Sequence, residues 1–175
     1  MTTISPCRAP DVPVIHEIIN ESALAYKGVI PADRWHEPYM SLTELQTEME
    51  KGVRFYGYRD DERLLAVMGI QDVKDVTLIR HAYVRTASRG LGVGGELLAY
   101  LNRLTDRPVL IGTWKAASWA IRFYQKHGFS LLGDAEKNQL LETYWTVPAR
   151  QIEESVVLAD RRWIEREKAS AGKHR

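Results

Sequence analysis

The stretch Arg89-Gly90-Leu91-Gly92-Val93-Gly94-Gly95 decides how this chain folds. It lies between an apolar run, Val76 to Val84, and a segment with Val93, Leu97, Leu101 and Leu104 at helical spacing. Strand, glycine turn, helix is therefore the local order. Glycines let a backbone come close to a ligand, and the first turn of a helix leaves its N–H groups unpaired. The helix dipole adds roughly half a positive charge at that end. Such a turn suits an anion, above all a diphosphate, and Arg89 can add charge from the side. Gly90, Gly92 and Gly95 also satisfy the dinucleotide spacing G-x-G-x-x-G. That pattern belongs in an early strand–helix–strand unit with an acid about 20 residues further on. Here it falls mid-chain, and the following strand, Val109 to Trp114, carries no acid at its end. A nicotinamide or flavin site is disfavoured. Two readings of the loop itself stay open, an anion cradle and a tight turn that binds nothing.

Upstream of the loop, Ile4 to Ala9 is a short candidate strand, and Pro10-Asp11-Val12-Pro13 opens a helix. Val14, Ile15, Ile18, Ile19, Ser22 and Tyr26 share one face of that helix, and Gly28 stops it. Val29 to Met40 reads as an irregular loop rich in rings. Ser41-Leu42-Thr43-Glu44 is a capping box that starts a second helix, ending near Lys51 and Gly52. Val53 to Tyr58, Leu64 to Ile70 and Val76 to Val84 are strands separated by short polar turns, the pattern of an antiparallel meander. Downstream, Pro108 to Trp114 is a strand, so the glycine loop and its helix make a crossover between parallel strands. Ser118 starts another helix that stops at Gly128. Phe129 to Leu132 and Ser155 to Leu158 read as strands, with a helix over Ala135 to Trp145 between them. The order β-α-α-β-β-β-α-β-α-β-(α)-β predicts one mixed α/β sheet, antiparallel in the middle and parallel at one step. The charged segment 161–175 reads as a frayed tail.

Composition narrows the function. The chain has 175 residues, enough for about one domain. Lys plus Arg is 24 and Asp plus Glu is 23, so the net charge is +1. That balance argues against a dedicated nucleic-acid binder, which shows a large basic excess. No run approaches the roughly 18 apolar residues that span a membrane. The N-terminus lacks a basic-then-apolar signal pattern, so the expected location is cytoplasmic. Cys7 stands alone, which rules out a disulfide within the chain and a cysteine-based zinc site. It reads as a small apolar residue. No histidine pair has metal-ligand spacing, and no metal is expected.

A second motif joins the glycine loop. Trp119-Ala120-Ile121-Arg122-Phe123-Tyr124-Gln125-Lys126-His127-Gly128-Phe129 follows the next strand. Together the two resemble the GNAT superfamily of N-acetyltransferases. That family's cofactor loop reads Arg/Gln-x-x-Gly-x-Gly/Ala, matched here by Arg89, Gly92 and Gly94. Its later helix reads Ala-x-x-Phe-Tyr-x-x-x-Gly-Phe, matched at every spacing by Ala120, Phe123, Tyr124, Gly128 and Phe129. The resemblance covers the core from about Val53 to Leu132. It implies an α/β fold in which residues 1–160 form a single GNAT-like domain, with a mixed, mostly antiparallel central sheet and helices on both faces. The charged tail 161–175 follows.

The resemblance also implies chemistry. Acetyl-CoA would donate its acetyl group directly to an amine acceptor, a small molecule or a peptide. Its pyrophosphate would sit on the N–H groups of Arg89, Gly90, Leu91, Gly92, Val93, Gly94 and Gly95. Its pantetheine arm would run beside Tyr83 and Val84, and a main-chain N–H near Val84 would hold the thioester oxygen. Tyr124 would protonate the departing thiolate, since a phenol is protonated at neutral pH. His81 and His36 are candidates for the base that takes the amine's proton. His127, at a helix end, reads as structural. Trp35, His36 and Tyr39 would line the acceptor pocket, with a lid or a homodimer contact as the other uses of that loop. Arg80 offers a charge for an acceptor carboxylate. Trp114 and Trp119 read as packing. One departure stands out: many family members carry an asparagine where this chain has Ala117. The other function classes weighed are a non-catalytic acyl-CoA-binding or sensing protein and a nucleotide-binding protein.

Overall fold

The structure is a computed structural model and describes residues 1–174. Its strands are β1 (Thr2–Pro6), β2 (Arg54–Asp60), β3 (Arg63–Val73), β4 (Val76–Val84), β5 (Val109–Trp114), β6 (Ser130–Leu131) and β7 (Ser155–Ala159). Its helices are α1 (Val12–Ala23), α2 (Leu42–Glu50), α3 (Val93–Asn102), α4 (Ser118–Lys126), α5 (Asp134–Tyr144), α6 (Ala149–Glu153) and α7 (Arg161–Gly172). The strands hydrogen-bond in the order β1-β2-β3-β4-β5-β7-β6, mostly antiparallel with one parallel pair. This is the mixed α/β sheet that the alternation of strand and helix patterns predicts. Contacts group the chain into two compact units. One comprises Met1–Gln71 with Ile79–Thr105; the other comprises Asp72–Leu78 with the chain from Asp106 onward.

In the first unit β1 and β2 pair antiparallel, Thr2 opposite Asp60 and Pro6 opposite Tyr56. β2 and β3 pair antiparallel with a bulge at Tyr58 and Arg59. The apolar stripe of α1 is buried at Ile15, Ile18 and Ile19 and packs with Leu45 of α2 and Val53, Phe55, Leu64 and Val67 of the strands. Local polar bonds fix the ends of these elements. The Asp11 carboxylate accepts from the Arg8 N–H and pairs with Arg59, both at 2.8 Å, which ties the entry to α1 onto β2. Ser41 caps α2 by accepting the Glu44 N–H at 3.1 Å, as its capping box predicts. The Asn20 side chain donates to the Met40 carbonyl and accepts the Met40 N–H, each at 2.9 Å. That reciprocal pair pins the far end of the loop between α1 and α2 to α1 itself. The loop starts with a short 3-10 turn, Leu24–Tyr26, so α1 ends before Gly28 rather than at it.

In the second unit β7 pairs antiparallel with both β5 and β6, with Ala159 opposite Leu110 on one side and Ser130 on the other. The first residues of β4 belong here, and the Thr77 N–H donates to the Pro108 carbonyl at 2.9 Å. The core holds Val76, Leu78, Leu110, Leu140, Leu141, Val157 and Trp163. Two elements differ from expectation. Residues 149–153 form α6, which the sequence pattern does not announce. Residues 161–172 are a formed helix rather than a frayed tail. The reason is its first turn: the Asp160 carboxylate accepts the Trp163 N–H at 3.2 Å, and the Trp163 ring is buried in the core. Among the described residues, no helix is long and apolar enough to cross a membrane.

Candidate active site

The site grows out of the end of β4. Val76 to Ile79 are buried, whereas Arg80 to Val84 are half-buried, so the strand passes from core to surface at its midpoint. His81 sits at that change with φ +53°, a left-handed conformation uncommon for a residue other than glycine. A 3-10 turn, Thr86–Ser88, follows. Gly90 and Gly92 then take φ +78° and +79°, which a residue with a Cβ adopts only at a cost. Gly92 is the N-cap of α3, and the Glu96 N–H bonds back to its carbonyl at 3.0 Å. The N–H groups of Val93, Gly94 and Gly95 precede that bond and have no partner within the helix. A Cβ built at Gly90 or Gly92 would meet nothing within 4 Å, so the loop faces open space. Leu91 is 71% exposed at its tip, while Val93 is buried and anchors the helix start. An anion fits this loop in conformation, dipole and access.

The last two turns of α1 hold the loop in place. Ser22 donates its hydroxyl to the Val84 carbonyl at 2.7 Å, and Arg89 donates to the Ser22 carbonyl at 3.2 Å. Arg85 pairs with Glu17 at 2.7 Å and Glu21 at 3.1 Å, and its Nε donates to the Leu64 carbonyl at 2.9 Å. The Thr86 N–H donates to Glu21 at 3.0 Å. The charge of Arg85 is thus matched within the protein, whereas the Arg89 guanidinium donates to the neutral carbonyl of Ser22. Sequence reading missed Glu17, Glu21, Ser22 and Arg85. The available signal was the i, i+4 carboxylate pair beside the apolar stripe of α1, which looks like any solvated helix face.

Tyr83 carries the site outward to a row of rings. Its ring meets Tyr26 edge-on at 6.4 Å, and Tyr26 lies against Tyr39 at 5.5 Å. Tyr39 stacks with Trp35 at 5.7 Å and with His36 at 6.4 Å. His36 is exposed, with Nδ1 3.4 Å from the Pro38 carbonyl. His81 lies elsewhere: its ring stacks on Phe55, and its Nε2 is 3.1 Å from Glu48. Burial pushes the His81 ring below its ordinary value, although the bond to Glu48 pulls the other way. The neutral ring donates through Nε2 to a carboxylate. Glu48 is held below the usual carboxylate range by that bond and by Arg80. Arg80 is itself engaged by Glu48 and Gln71, both at 3.1 Å, so its charge is spent inside the fold.

Tyr124 belongs to the second unit, on α4, and Tyr83, Val84 and Arg89 to Gly95 all belong to the first. Tyr124 is buried, its ring edge-on to Phe123 at 5.2 Å and to Phe129 at 6.1 Å. Ala117 is buried at the N-cap of α4, where it offers no side-chain acceptor to the helix. Gly128, at φ +90°, ends the helix, and the His127 ring bonds the Phe123 carbonyl at 2.8 Å. Trp114 is buried and Trp119 is 39% exposed. Cys7 is half-buried, and burial together with Asp11 pushes its thiol up to about 12, which leaves it unreactive. Among the described residues, no three or more His, Cys, Asp or Glu side chains gather as a metal site would require.

Comparison with known proteins bears on these motifs together. Residues 51–131 match the family model of the acetyltransferase (GNAT) domain. No curated protein matches the chain. Solved structures do. A PaiA N-acetyltransferase from Thermoplasma acidophilum, in complex with coenzyme A, has a TM-score of 0.69 at 16% identity, over 91% of this chain and 98% of that one. A GNAT family acetyltransferase from Elizabethkingia anophelis with acetyl-CoA bound has a TM-score of 0.61 at 19% identity, over 91% and 97%. The ribosomal-protein-S18-alanine N-acetyltransferase from Escherichia coli has a TM-score of 0.62 at 15% identity, over 91% and 93%. At these identities the likeness is one of fold.

Proposed function

We propose, for a chain whose residues 51–131 match the family model of the acetyltransferase (GNAT) domain, an N-acetyltransferase that moves an acetyl group from acetyl-CoA directly to an amine. The observation that carries this reading is the loop of Gly90 and Gly92, left-handed, open in front, and set at the N-terminus of a helix of 10 residues. Acetyl-CoA supplies an activated thioester. The N–H groups of Val93, Gly94 and Gly95 and the Arg89 guanidinium hold its diphosphate. The backbone of Tyr83 and Val84 lies along the pantetheine arm, steadied by the Ser22 hydroxyl on the Val84 carbonyl. A main-chain N–H near Val84 takes the thioester oxygen as charge grows there, a contribution of about 2.7–4 kcal/mol for one such donor.

The amine forms the new C–N bond as the C–S bond breaks. Tyr124 gives its hydroxyl proton to the departing sulfur. The amine's own proton goes to a base, for which His36 and His81 remain the candidates; Nε2 of His81 is already engaged by Glu48. The setting this reading implies is a cytoplasmic enzyme working on a small-molecule or peptide amine. Calorimetric titration of the purified protein with acetyl-CoA, alongside NADH and ATP, tests it. Micromolar binding of acetyl-CoA alone is the expected result. Binding of none of the three, or of the nucleotides in preference, overturns it.

A further inference from the structure

We infer that Glu48 of α2 and His81 of β4 work as a dyad, in which Glu48 holds the ring through Nε2 so that Nδ1 of His81 takes the proton of the acceptor amine. The inference rests on the acetyltransferase reading above and assigns its base, with Glu48 as a positioning residue. On a regular strand successive side chains leave on opposite faces. Yet Arg80 and His81, neighbours on β4, both reach Oε2 of Glu48, each at 3.1 Å. The left-handed backbone of His81, at φ +53°, breaks the alternation there. A residue stays in that region only where the structure around it over-determines its place, and such residues cluster at working sites. His81 also lies two residues before Tyr83, so their Cα atoms are at most about 7 Å apart. The dyad therefore stands next to the backbone proposed to carry the thioester.

The tautomer follows from charge. The His81 bond and Arg80 hold Glu48 below the usual carboxylate range, so at neutral pH it is ionised and only accepts. Nε2 therefore carries the N–H, and in a neutral ring Nδ1 carries the lone pair. Burial keeps the ring neutral against the pull of Glu48. Among the described residues nothing hydrogen-bonds Nδ1, and that atom is not sealed from solvent. A histidine buried for packing alone has its polar atoms satisfied. This one is anchored on one side and basic on the other. The charged groups acting on the ring are Glu48 and Arg80, with Lys51 acting on Glu48 in turn. Further bonds fix the pair. Arg80 donates to Gln71 of β3 at 3.1 Å, Gln71 donates to the Lys51 carbonyl at the end of α2 at 3.0 Å, and the ring lies against Phe55 of β2 at 6.1 Å. In the reaction the neutral amine attacks the thioester carbon. As the C–N bond forms and the C–S bond breaks, the amine proton passes to Nδ1, and the sulfur takes the Tyr124 proton. Glu48 stabilises the imidazolium while it lasts. His81 then gives its proton to water and Tyr124 takes one back, so no proton is gained or lost.

The test uses the full chain. Thiol release from acetyl-CoA is followed between about pH 5 and about pH 9 with spermidine, tryptamine, glutamate and an alanyl peptide, and the fastest acceptor supplies the pH profile. Where none of the four reacts, hydrolysis of acetyl-CoA by the protein supplies it, with water in place of the amine. Acetyl-CoA binding is measured separately by calorimetry. Wild-type kcat should be level near neutral pH and fall on an acid limb below the ordinary histidine value of about 6.5. His81→Gln keeps an N–H for Glu48; it should cut kcat about 10²–10⁴-fold and erase that limb, with acetyl-CoA affinity unchanged. Glu48→Gln should lower kcat severalfold with KM little changed. It should also move the limb to lower pH, because the ring loses the carboxylate that favours its charged form. A merely structural Glu48 would leave the limb in place. Imidazole nitrogen NMR of the wild type needs no variant: the ring against Phe55 should carry its proton on Nε2 at neutral pH. A proton on Nδ1, wild-type kcat in His81→Gln, or an unmoved limb in Glu48→Gln overturns the dyad. Acetyl-CoA binding without any thiol release also overturns it, while the cofactor reading stands. If acetyl-CoA does not bind, that reading falls and the dyad with it.

Discussion

At the scale of single residues, two positions carry separable parts of the proposed function. One is the Cβ that Gly92 lacks. Its φ of +79° costs an L-residue about 1–2 kcal/mol, and the space around it is empty. Gly92→Ala should therefore lower stability by about that amount through backbone strain alone, without a clash. It should also weaken acetyl-CoA binding, because the relaxed loop no longer aims its N–H groups together. Thermal melts with and without acetyl-CoA, beside calorimetry, read both effects; a variant with unchanged affinity would mean the loop conformation does not matter for the ligand. The other is the Tyr124 hydroxyl oxygen. Tyr124→Phe keeps the ring against Phe123 and Phe129. Loss of a positioned general acid should cut kcat by roughly 10²–10⁴-fold and spare acetyl-CoA affinity. Unchanged turnover sinks the assignment. The glycines and the Phe-Tyr pair were legible in the sequence because their spacing is local. The left-handed backbone at His81 was not, since an apolar strand pattern says nothing about where a strand departs from regular geometry.

At the scale of elements, α1 shows what periodicity reveals and what it hides. Its apolar stripe was legible, and Ile15, Ile18 and Ile19 are indeed fully buried. Its polar side looks solvated in the sequence, yet Glu17 and Glu21 on that side, with Ser22 from the buried face, grip the chain at the end of β4 more than 60 residues later. A bond across that separation leaves no local trace. The helix α7 shows the opposite failure, because its signal was present. Asp160 is an N-cap residue three positions before Trp163, but the density of charge beyond it suggested a tail. The same carboxylate oxygen, Oδ1, accepts the Trp163 N–H at 3.2 Å and the Val109 N–H of β5 at 3.1 Å. Asp160→Ala therefore removes a helix cap and orphans a buried strand donor at one stroke. The expected loss is about 2–4 kcal/mol, a cap of about 1 kcal/mol plus an orphaned buried donor of about 1–3 kcal/mol, read as a lower urea midpoint with an unchanged slope. A midpoint equal to wild type would mean α7 does not depend on its cap.

At the scale of the whole molecule, protonation links the packing around β4 to stability. His81 is neutral in the fold because burial outweighs the pull of Glu48. The unfolded chain binds a proton at an ordinary histidine near pH 6.5, while the folded chain does so only at lower pH. Stability from His81 is thus fully present above about 6.5 and is lost as pH falls toward the lowered folded value. The carboxylates act in a separate window. Glu48 is held low by the His81 hydrogen bond and by Arg80, and Asp75 by the Tyr144 hydroxyl at 2.6 Å and Arg166. Their contribution is full above the ordinary carboxylate values, near 4, and is lost below them. The urea midpoint should therefore fall in two stages on acidification. The first, at most about 1.4 kcal/mol per pH unit, begins below about pH 6.5, and the second begins below about pH 4.5. His81→Gln keeps an N–H for Glu48 and removes the titration, so it should flatten the first stage and leave the second. A wild-type midpoint that stays level between pH 7 and 5, or a variant with the same slope there, would mean that His81 titrates alike in both states. In that case the cluster of Arg80, His81 and Glu48 would contribute packing to the molecule but no dependence on pH.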